Sequence, residues 1–182
     1  MVEQFKIIPL STLLKVFNNK GVLDKAHSLL STFKCEKNLD EQNFLHHQAI
    51  DFENLNKART YLIFFNKELI AYFSLSFKSI EFENISKSKK KLMTAGEVNA
   101  KTYSGYLIGH IAKSDNTEYK VGSFIIDSAF DIFLKAQGLV GGRLAYLDCR
   151  DNEHLKKLYE NLGFTYFQTS LKTGLLQYYK KL

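Results

Sequence analysis

The sequence predicts a mixed α/β fold in which an antiparallel hairpin is followed by alternating strands and helices. Residues 59–65 and 69–82 are rich in aromatic and branched side chains and flank Asn66-Lys67-Glu68, a pattern typical of a β-hairpin. After residue 104, strand-like segments alternate with helical ones, which favours a sheet with helices packed against it. The length of 182 residues fits one domain over residues 1–182.

The first half of the chain predicts one strand and three helices before the hairpin. We expect a strand over residues 4–8, which Pro9 ends, and helices over 11–18, 23–34 and 40–55. Residues 83–103 are polar and contain four lysines in a short run, so we expect a long mobile connection there. Strand character returns at residues 104–113.

The last third of the chain is the most regular. The expected order is helix 123–137, strand 143–149, helix 152–162 and closing strands 165–169 and 175–180. In the second of these helices, Leu155, Leu158 and Leu162 recur at helical spacing, and Gly163 follows as a C-terminal stop.

Composition excludes several classes of protein. A hydrophobic fraction of 45% argues against disorder, and the longest apolar runs are too short to span a bilayer. The N-terminal residues show no secretory signal, and two cysteines form no disulfide framework, so we expect a cytoplasmic protein. The net charge of +6 favours anionic partners, either nucleic acid or a phosphate-bearing cofactor, without distinguishing them.

The segment from residue 118 to residue 123 has the features of a phosphate-binding loop. It lies between a predicted strand and a predicted helix, whose first N–H groups and positive dipole end attract anions. Lys120 adds positive charge, Gly122 removes a side chain at the turn, and Ser123 can form a hydrogen bond. An ordinary strand-to-helix loop with a surface lysine would have the same residues.

The helix from residue 152 carries the second pattern. Asn152 stands at its start, Tyr159 follows seven residues later, and Gly163-Phe164 comes directly after the helix. A capped amphipathic helix accounts for the apolar spacing but not for the whole combination. The combination resembles the Asn-x-x-Ala-x-x-x-Tyr-x-x-x-Gly-Phe pattern of the GCN5-related N-acetyltransferases (GNAT family), with Leu155 in place of Ala.

The resemblance covers roughly residues 58–182 and implies both a fold and a site. The implied fold is a central mixed, mostly antiparallel sheet, splayed between its fourth and fifth strands and flanked by helices. The implied donor is acetyl-CoA, with no metal. Its pantetheine and acyl group would face the backbone of Ile111, Ala112 and Lys113, and Asn152 would also contact the pantetheine. Its pyrophosphate would bind to Tyr119, Lys120, Val121, Gly122 and Ser123. Tyr159 would be the catalytic general acid for the leaving thiolate.

One departure from the family pattern leaves a rival function open. The phosphate loop of the family usually reads Gln/Arg-x-x-Gly-x-Gly/Ala, whereas this chain has Thr117, Lys120 and Gly122 at those positions, so only the final glycine matches. The rival is a non-catalytic acyl-CoA-binding or partner-binding module on the same fold.

The expected reaction is direct attack of a primary amine on the thioester. Glu118 and His110 are alternative bases for the amine, and water is a third. Cys149 has either a covalent role or, as we favour, a packing role. His46 and His47 are adjacent on a predicted helix and therefore point to different faces, which argues against a shared metal.

The acceptor is not identified by the sequence: it is a small amine, a protein amine or an aminoacyl-tRNA. Length, basicity and the long insert resemble a toxin-like subgroup of these transferases from bacterial mobile elements, some of which acetylate aminoacyl-tRNA. Six lysines would then contact phosphates: Lys87, Lys89, Lys90, Lys91, Lys156 and Lys157. We favour the alternative that they solvate a loop and a helix face. No membrane partner is expected, and a homodimer is left open.

Overall fold

The structure is a computed structural model that describes residues 5–16, 21–83 and 85–182. The elements follow in this order: β1 (Lys6–Pro9), α1 (Leu10–Val16), α2 (Val22–Leu30), a 3-10 turn (Glu36–Asn38), α3 (Leu39–Asn43), a π-helical turn (Phe44–Gln48), α4 (Ala49–Asn54), β2 (Arg59–Phe65), β3 (Glu68–Glu81), α5 (Lys87–Met93), β4 (Thr102–Lys113), α6 (Gly122–Val140), β5 (Leu144–Cys149), α7 (Glu153–Asn161), β6 (Thr165–Thr169) and β7 (Leu176–Lys181).

In the described part of the chain, these strands form one seven-stranded sheet in the order β1-β2-β3-β4-β5-β7-β6. The pairs β1–β2, β2–β3, β5–β7 and β6–β7 are antiparallel, and β4 runs parallel to β5. The β4–β5 register covers only Tyr106–Ile108 against Ala145–Leu147, although β4 is 12 residues long and β5 six. The expected mixed, mostly antiparallel sheet is confirmed.

The hairpin between β2 and β3 turns at two residues with left-handed backbones. Asn66 has φ of 49° and Lys67 has φ of 68°, as a two-residue type I′ turn requires. This turn matches the right-handed twist of the paired strands, so it sets the register that places Phe65 opposite Glu68. The predicted hairpin is therefore correct to within one residue at its second strand.

The chain divides into two compact units. The first unit consists of Met1–Ser76 and His110–Ile125, and the second consists of Phe77–Gly109 and Ile126–Leu182. The core of the first unit is apolar and comes from the early helices and from β2, β3 and the end of β4. Its fully or nearly fully buried members include Leu10, Leu30, Phe33, Phe44, Leu45, Leu62, Tyr72 and Ala112.

The second unit has its own apolar core, built around Ile80, Met93, Leu144, Tyr146, Phe167 and Tyr179. A close approach of backbone to an aromatic ring explains one of its glycines. Gly142 has φ of +112°, and a Cβ built there would lie 2.5 Å from Cε2 of Tyr106. The hydroxyl of Tyr106 donates a hydrogen bond to the carbonyl of Gly141. A side chain at residue 142 would displace this ring.

The connection expected over residues 83–103 contains helix α5, so the prediction of a long loop was wrong. Ser86 caps the helix by accepting a hydrogen bond from the N–H of Lys89 at 3.3 Å. At the other end, Met93 is fully buried in the core of the second unit. The lysine run therefore belongs to a short helix that is anchored by one apolar residue.

Other boundaries also differ from the sequence predictions. The helix expected over 40–55 is interrupted by the π-helical turn, and α2 ends at Leu30 rather than at residue 34. Helix α6 starts at Gly122 and continues through Gly138 to Val140. Residue 4 of the first predicted strand and residues 17–18 of the first predicted helix lie outside the described residues.

Candidate functional site

The last residues of β4 are the predicted binding backbone of Ile111, Ala112 and Lys113. Ala112 is buried in the core of the first unit, which fixes this end of the strand. Directly after it, the N–H of Ser114 donates to the carbonyl of Ile70 at 2.8 Å. The ammonium of Lys113 donates to the carbonyl of Thr117 at 2.9 Å, so this side chain holds the following loop. A rigid strand end is what backbone recognition of a ligand requires.

The predicted phosphate loop leads into the first turn of α6. Val121 is buried, and its carbonyl accepts a hydrogen bond from the N–H of Ile125 at 2.9 Å. Helix α6 therefore begins at Gly122, one residue earlier than predicted, and its first N–H groups have no partner within the helix. Lys120 and Ser123 are exposed beside this positive helix end.

Tyr119 belongs to an aromatic cluster of the first unit. Its ring centroid is 4.4 Å from that of Phe65 and 5.9 Å from that of Phe5. It is nevertheless 45% exposed, so one part of the ring packs while another part faces solvent. This packing fixes Tyr119 at the start of the loop, and it thereby fixes the position of the backbone that follows.

Asn152 is the N-cap of α7. Its Oδ1 accepts hydrogen bonds from the N–H groups of His154 at 2.9 Å and Leu155 at 3.1 Å. The side-chain oxygen is therefore used by the helix. The amide nitrogen is the side-chain group of Asn152 that can donate to a ligand. The predicted helix start at this residue is confirmed as a capping position.

Tyr159 is held by the geometry that ends α7. Gly163 has φ of 82°, its N–H donates to the carbonyl of Glu160, and the N–H of Phe164 donates to the carbonyl of Tyr159. These two bonds are those of a Schellman motif, which needs a left-handed residue and usually has glycine there. Phe164 is buried, and its ring centroid lies 6.0 Å from that of Tyr159. The Gly-Phe pair thus has a structural role in placing the tyrosine.

Two aromatic rings lie beside Tyr159. Its side chain is buried, and a second ring, that of Tyr178, lies 6.3 Å away between centroids. The resemblance assigns the general-acid role to this residue.

The two alternative bases named from the sequence differ in their surroundings. Glu118 is exposed on the loop before α6. His110 lies within β4, its Nδ1 is 3.0 Å from Oε2 of Glu41, and its ring stacks on that of Phe44. No signal in the sequence pointed to Glu41, because 69 residues separate it from His110. Of the two candidates, His110 is the one built into a hydrogen-bonded cluster.

Both cysteines are free and buried. Burial raises the pKa of the Cys149 thiol to about 11, and the nearby carboxylate of Asp148 adds to the effect. Burial is also the largest cause of the raised pKa of Cys35. Because the thiolate is the nucleophile, these surroundings favour the packing role of Cys149 over a covalent one.

We therefore expect both thiols to resist Ellman's reagent at pH 8 in the folded protein. With a pKa of about 11, only about 0.1% of Cys149 is thiolate at that pH, and burial blocks access as well. The reaction should be at least ~100-fold slower than in urea, and it should accelerate as pH rises toward 11. In urea, two thiols per chain should react. Rapid reaction of folded protein would contradict the assignment.

A metal centre and a membrane-spanning helix are both absent from the part of the chain that the structure describes. Within residues 5–16, 21–83 and 85–182, no group of three or more His, Cys, Asp and Glu side chains is placed to hold a metal ion. His46 instead pairs with the carbonyl of Phe33 at 2.9 Å. In the same ranges, no helix has both the length and the apolar character that crossing a bilayer needs.

Comparison with known proteins reveals similarity in structure. No family model and no curated protein matches the chain. A tyrosine-to-phenylalanine mutant of KacT gives a TM-score of 0.70 at 16% identity, over 98% of this chain and 95% of that one. AtaT complexed with acetyl-methionyl-tRNAfMet gives 0.68 at 18% identity, over 95% and 94% of the two chains. AtaTR bound with acetyl-CoA gives 0.68 at 16% identity, over 100% and 94%.

At 16–18% identity, these similarities concern the fold. They extend over nearly the whole length of both chains, so they include the early helices as well as the segments that carry the sequence patterns. The GNAT-like architecture expected from residues 58–182 is confirmed, and it extends to the N-terminal part. The chain has the fold of the GCN5-related N-acetyltransferases, in the form found in the AtaT and KacT structures.

Proposed function

We propose that this protein is an acetyl-CoA-dependent N-acetyltransferase that transfers the acetyl group to a primary amine by direct attack. The observation that carries the proposal is Tyr159, which is buried and oriented by the Schellman motif at Gly163. The resemblance assigns the general acid to the same position. A fold shared with a structure bound to acetyl-CoA supports the choice of donor.

Each part of the chain has a role in the proposed reaction. The N–H groups at the start of α6, together with Lys120, bind the pyrophosphate of acetyl-CoA. The backbone of Ile111–Lys113 binds the pantetheine and stabilises the negative charge that develops on the thioester oxygen. The amide nitrogen of Asn152 donates to the pantetheine. Tyr159 gives its proton to the departing thiolate.

Aminoacyl-tRNA is the acceptor to test first, because AtaT has been solved with acetyl-methionyl-tRNAfMet. In this chain, four lysines lie on the short helix α5. Two of them already contact aromatic rings of the second unit: Lys89 lies over Tyr166 and Lys90 over Phe82. Small amines and protein amines are the other acceptors. Mass spectrometry of the acetylated product separates the three.

The cofactor assignment is tested by titrating the protein with acetyl-CoA in a calorimeter. We expect micromolar binding or tighter, weakened about tenfold by Lys120→Ala, because a hydrogen bond to a charged group contributes about 1.5 kcal/mol or more. Lys135→Ala is the matched control, since Lys135 is also an exposed lysine but lies far along α6. No heat of binding from folded wild-type protein would contradict the proposal.

The rival function is a module of the same fold that binds acyl-CoA or a protein partner without catalysis. The specific observation in its favour is the phosphate loop, in which Lys120 replaces the first glycine of the family pattern. Release of the CoA thiol in the presence of a panel of amines distinguishes the two functions. A non-catalytic module, whether it binds acyl-CoA or a protein partner, releases no thiol above the hydrolytic background.

A further inference from the structure

The first unit contains a hydrogen-bonded cluster that the family pattern does not include. Nδ1 of His110 lies 3.0 Å from Oε2 of Glu41, and the same oxygen accepts a hydrogen bond from the hydroxyl of Tyr72 at 2.9 Å. That hydroxyl also lies 2.6 Å from the backbone carbonyl of Glu41. Three elements, α3, β3 and β4, thus converge on one carboxylate.

The contacts determine which nitrogen of the imidazole carries a proton. Oε2 of Glu41 accepts the hydrogen bond of Tyr72, and as the acceptor for the imidazole it makes Nδ1 of His110 the donor. Tyr72 does not compete for the role of base, because burial, with the nearby charge of Glu41, raises its pKa far above the usual range. Nε2 of the neutral ring therefore carries a lone pair. This is the tautomer that a general base needs.

The ring is also fixed in orientation. Its plane is stacked on that of Phe44, with centroids 3.6 Å apart and an interplanar angle of 11°. The backbone N–H of His110 donates to Oγ of Ser74 at 3.1 Å. The side chain of His110 nevertheless remains 32% exposed, and that of Glu41 18%. The cluster is therefore ordered without being closed to a second molecule.

We propose that His110 is the general base of the transfer reaction and that Glu41 is its positioning residue; this inference rests on the proposed function. His110 directly precedes Ile111–Lys113, the backbone assigned to the acyl group. Nε2 takes a proton from the ammonium form of the acceptor, and the neutral amine nitrogen then bonds to the thioester carbon. The C–S bond breaks, the sulfur takes a proton from Tyr159, and the second amine proton, released as the amide forms, passes through solvent to Tyr159.

The test measures kcat/KM against pH with acetyl-CoA and methionine amide, an acceptor that is stable in alkali. Near pH 6.5 most of an α-amine is protonated, since its pKa is about 7.7–8.0. His110→Gln should lower kcat/KM about 100-fold there and less than ~10-fold at pH 9.5, because a general base matters most when the amine must lose a proton. Glu41→Gln should give the same pattern.

Among the described residues, the titratable groups beside the imidazole include Glu41 from α3, which contacts Nδ1, and Tyr72 from β3, which donates to the same carboxylate. Cys35 interacts electrostatically with Glu41 and Tyr72, and burial raises the pKa of its thiol. His46, on the adjacent π-helical turn, pairs with the carbonyl of Phe33. His110→Phe keeps the stacking on Phe44 and removes both nitrogens, so it tests the base in a folded background. His47→Gln, an exposed histidine of the same turn, should behave as the wild type.

The outcomes separate this inference from the proposed function. Rates of all three His110 and Glu41 variants within about threefold of the wild type would overturn the inference alone. An equal fall in kcat/KM at every pH would also overturn the inference, because such a fall would indicate that His110 and Glu41 have a structural role. If wild-type protein binds acetyl-CoA but transfers the acetyl group to no acceptor of the amine panel, methionine amide and methionyl-tRNA included, the proposed function fails and the inference fails with it.

Discussion

Replacing Tyr159 with phenylalanine is expected to lower kcat about 100-fold or more while leaving the affinity for acetyl-CoA unchanged. A positioned general acid contributes about 10²–10⁴ to a reaction rate, and the leaving thiolate is the group that needs a proton here. The substitution removes one oxygen from a ring that packs on Phe164. The fold and the packing should therefore survive. Initial rates of thiol release and calorimetric titration measure the two quantities separately.

Tyr178→Phe is the matched control for this experiment. Its ring neighbours that of Tyr159 at 6.3 Å between centroids, it is also buried, and it lies on β7 rather than on α7. We expect its kcat to stay within about threefold of the wild type, since no general-acid role is assigned to it. Full turnover by Tyr159→Phe would refute the general-acid assignment. If Tyr178→Phe alone lost turnover, Tyr178 rather than Tyr159 would be the general acid.

Replacing Phe44 with alanine is expected to destabilise the protein by about 3–5 kcal/mol, the usual cost of removing a buried aromatic side chain. Phe44 is almost completely buried and contacts the rings of Phe52, Tyr72 and His110. Its removal leaves a cavity that these neighbours fill only in part. Urea unfolding followed by circular dichroism measures the change, because the chain has no tryptophan for fluorescence.

The control for Phe44→Ala is Leu139→Ala, an exposed apolar residue near the end of α6. Leu139 is 85% exposed, so its replacement should change the free energy of unfolding by no more than about 0.5 kcal/mol. A loss below about 1 kcal/mol for Phe44→Ala would mean that the core of the first unit rearranges around the cavity. The stacking of Phe44 on His110 would then not indicate that a rigid core holds the imidazole in place.

Local signals predicted those parts of the fold whose geometry is decided within a few residues. The β2–β3 hairpin follows from period-two alternation around Asn66-Lys67, which adopt the left-handed turn themselves. Helix α7 follows from a cap at Asn152 and a stop at Gly163, and both are found in the structure. In each case the residues that begin and end the element lie within it or directly beside it.

Other features depended on contacts that a local pattern does not contain. The sequence predicted that this helix ends at residue 137, before Gly138, but α6 continues to Val140, and Gly141 and Gly142 provide the stop with their positive φ angles. Nε2 of Gln137 donates to the carbonyl of Gly142 at 2.7 Å and helps to close this end. A glycine inside a helix costs only about 1 kcal/mol, which packing along the helix offsets. The spacing of apolar residues and the helix propensities do not show which of these glycines ends the helix.

The candidate site draws on both kinds of signal. The sequence pattern predicts Tyr159 and Asn152 as site residues because one helix fixes their spacing, and this assignment stays a prediction. The pattern could not identify Glu41 or Tyr72, because their relation to His110 exists only after β3, β4 and the early helices have come together. A histidine alone in a strand has many structural explanations. Its hydrogen-bonded neighbours are what distinguish it.

The two ends of α7 determine how tolerant this segment is of sequence change. A helix of nine residues is too short to be stable by itself. The residues at its two ends therefore determine where it begins, where it stops and in which direction its side chains point. Asn152 caps the N-terminus of the helix and Gly163 ends its C-terminus. Tyr159 lies one turn before Gly163. The exposed residues between them can change without altering either terminus. A side chain at residue 163 would strain the backbone at its φ of 82°, and the position of the Tyr159 ring would change with it.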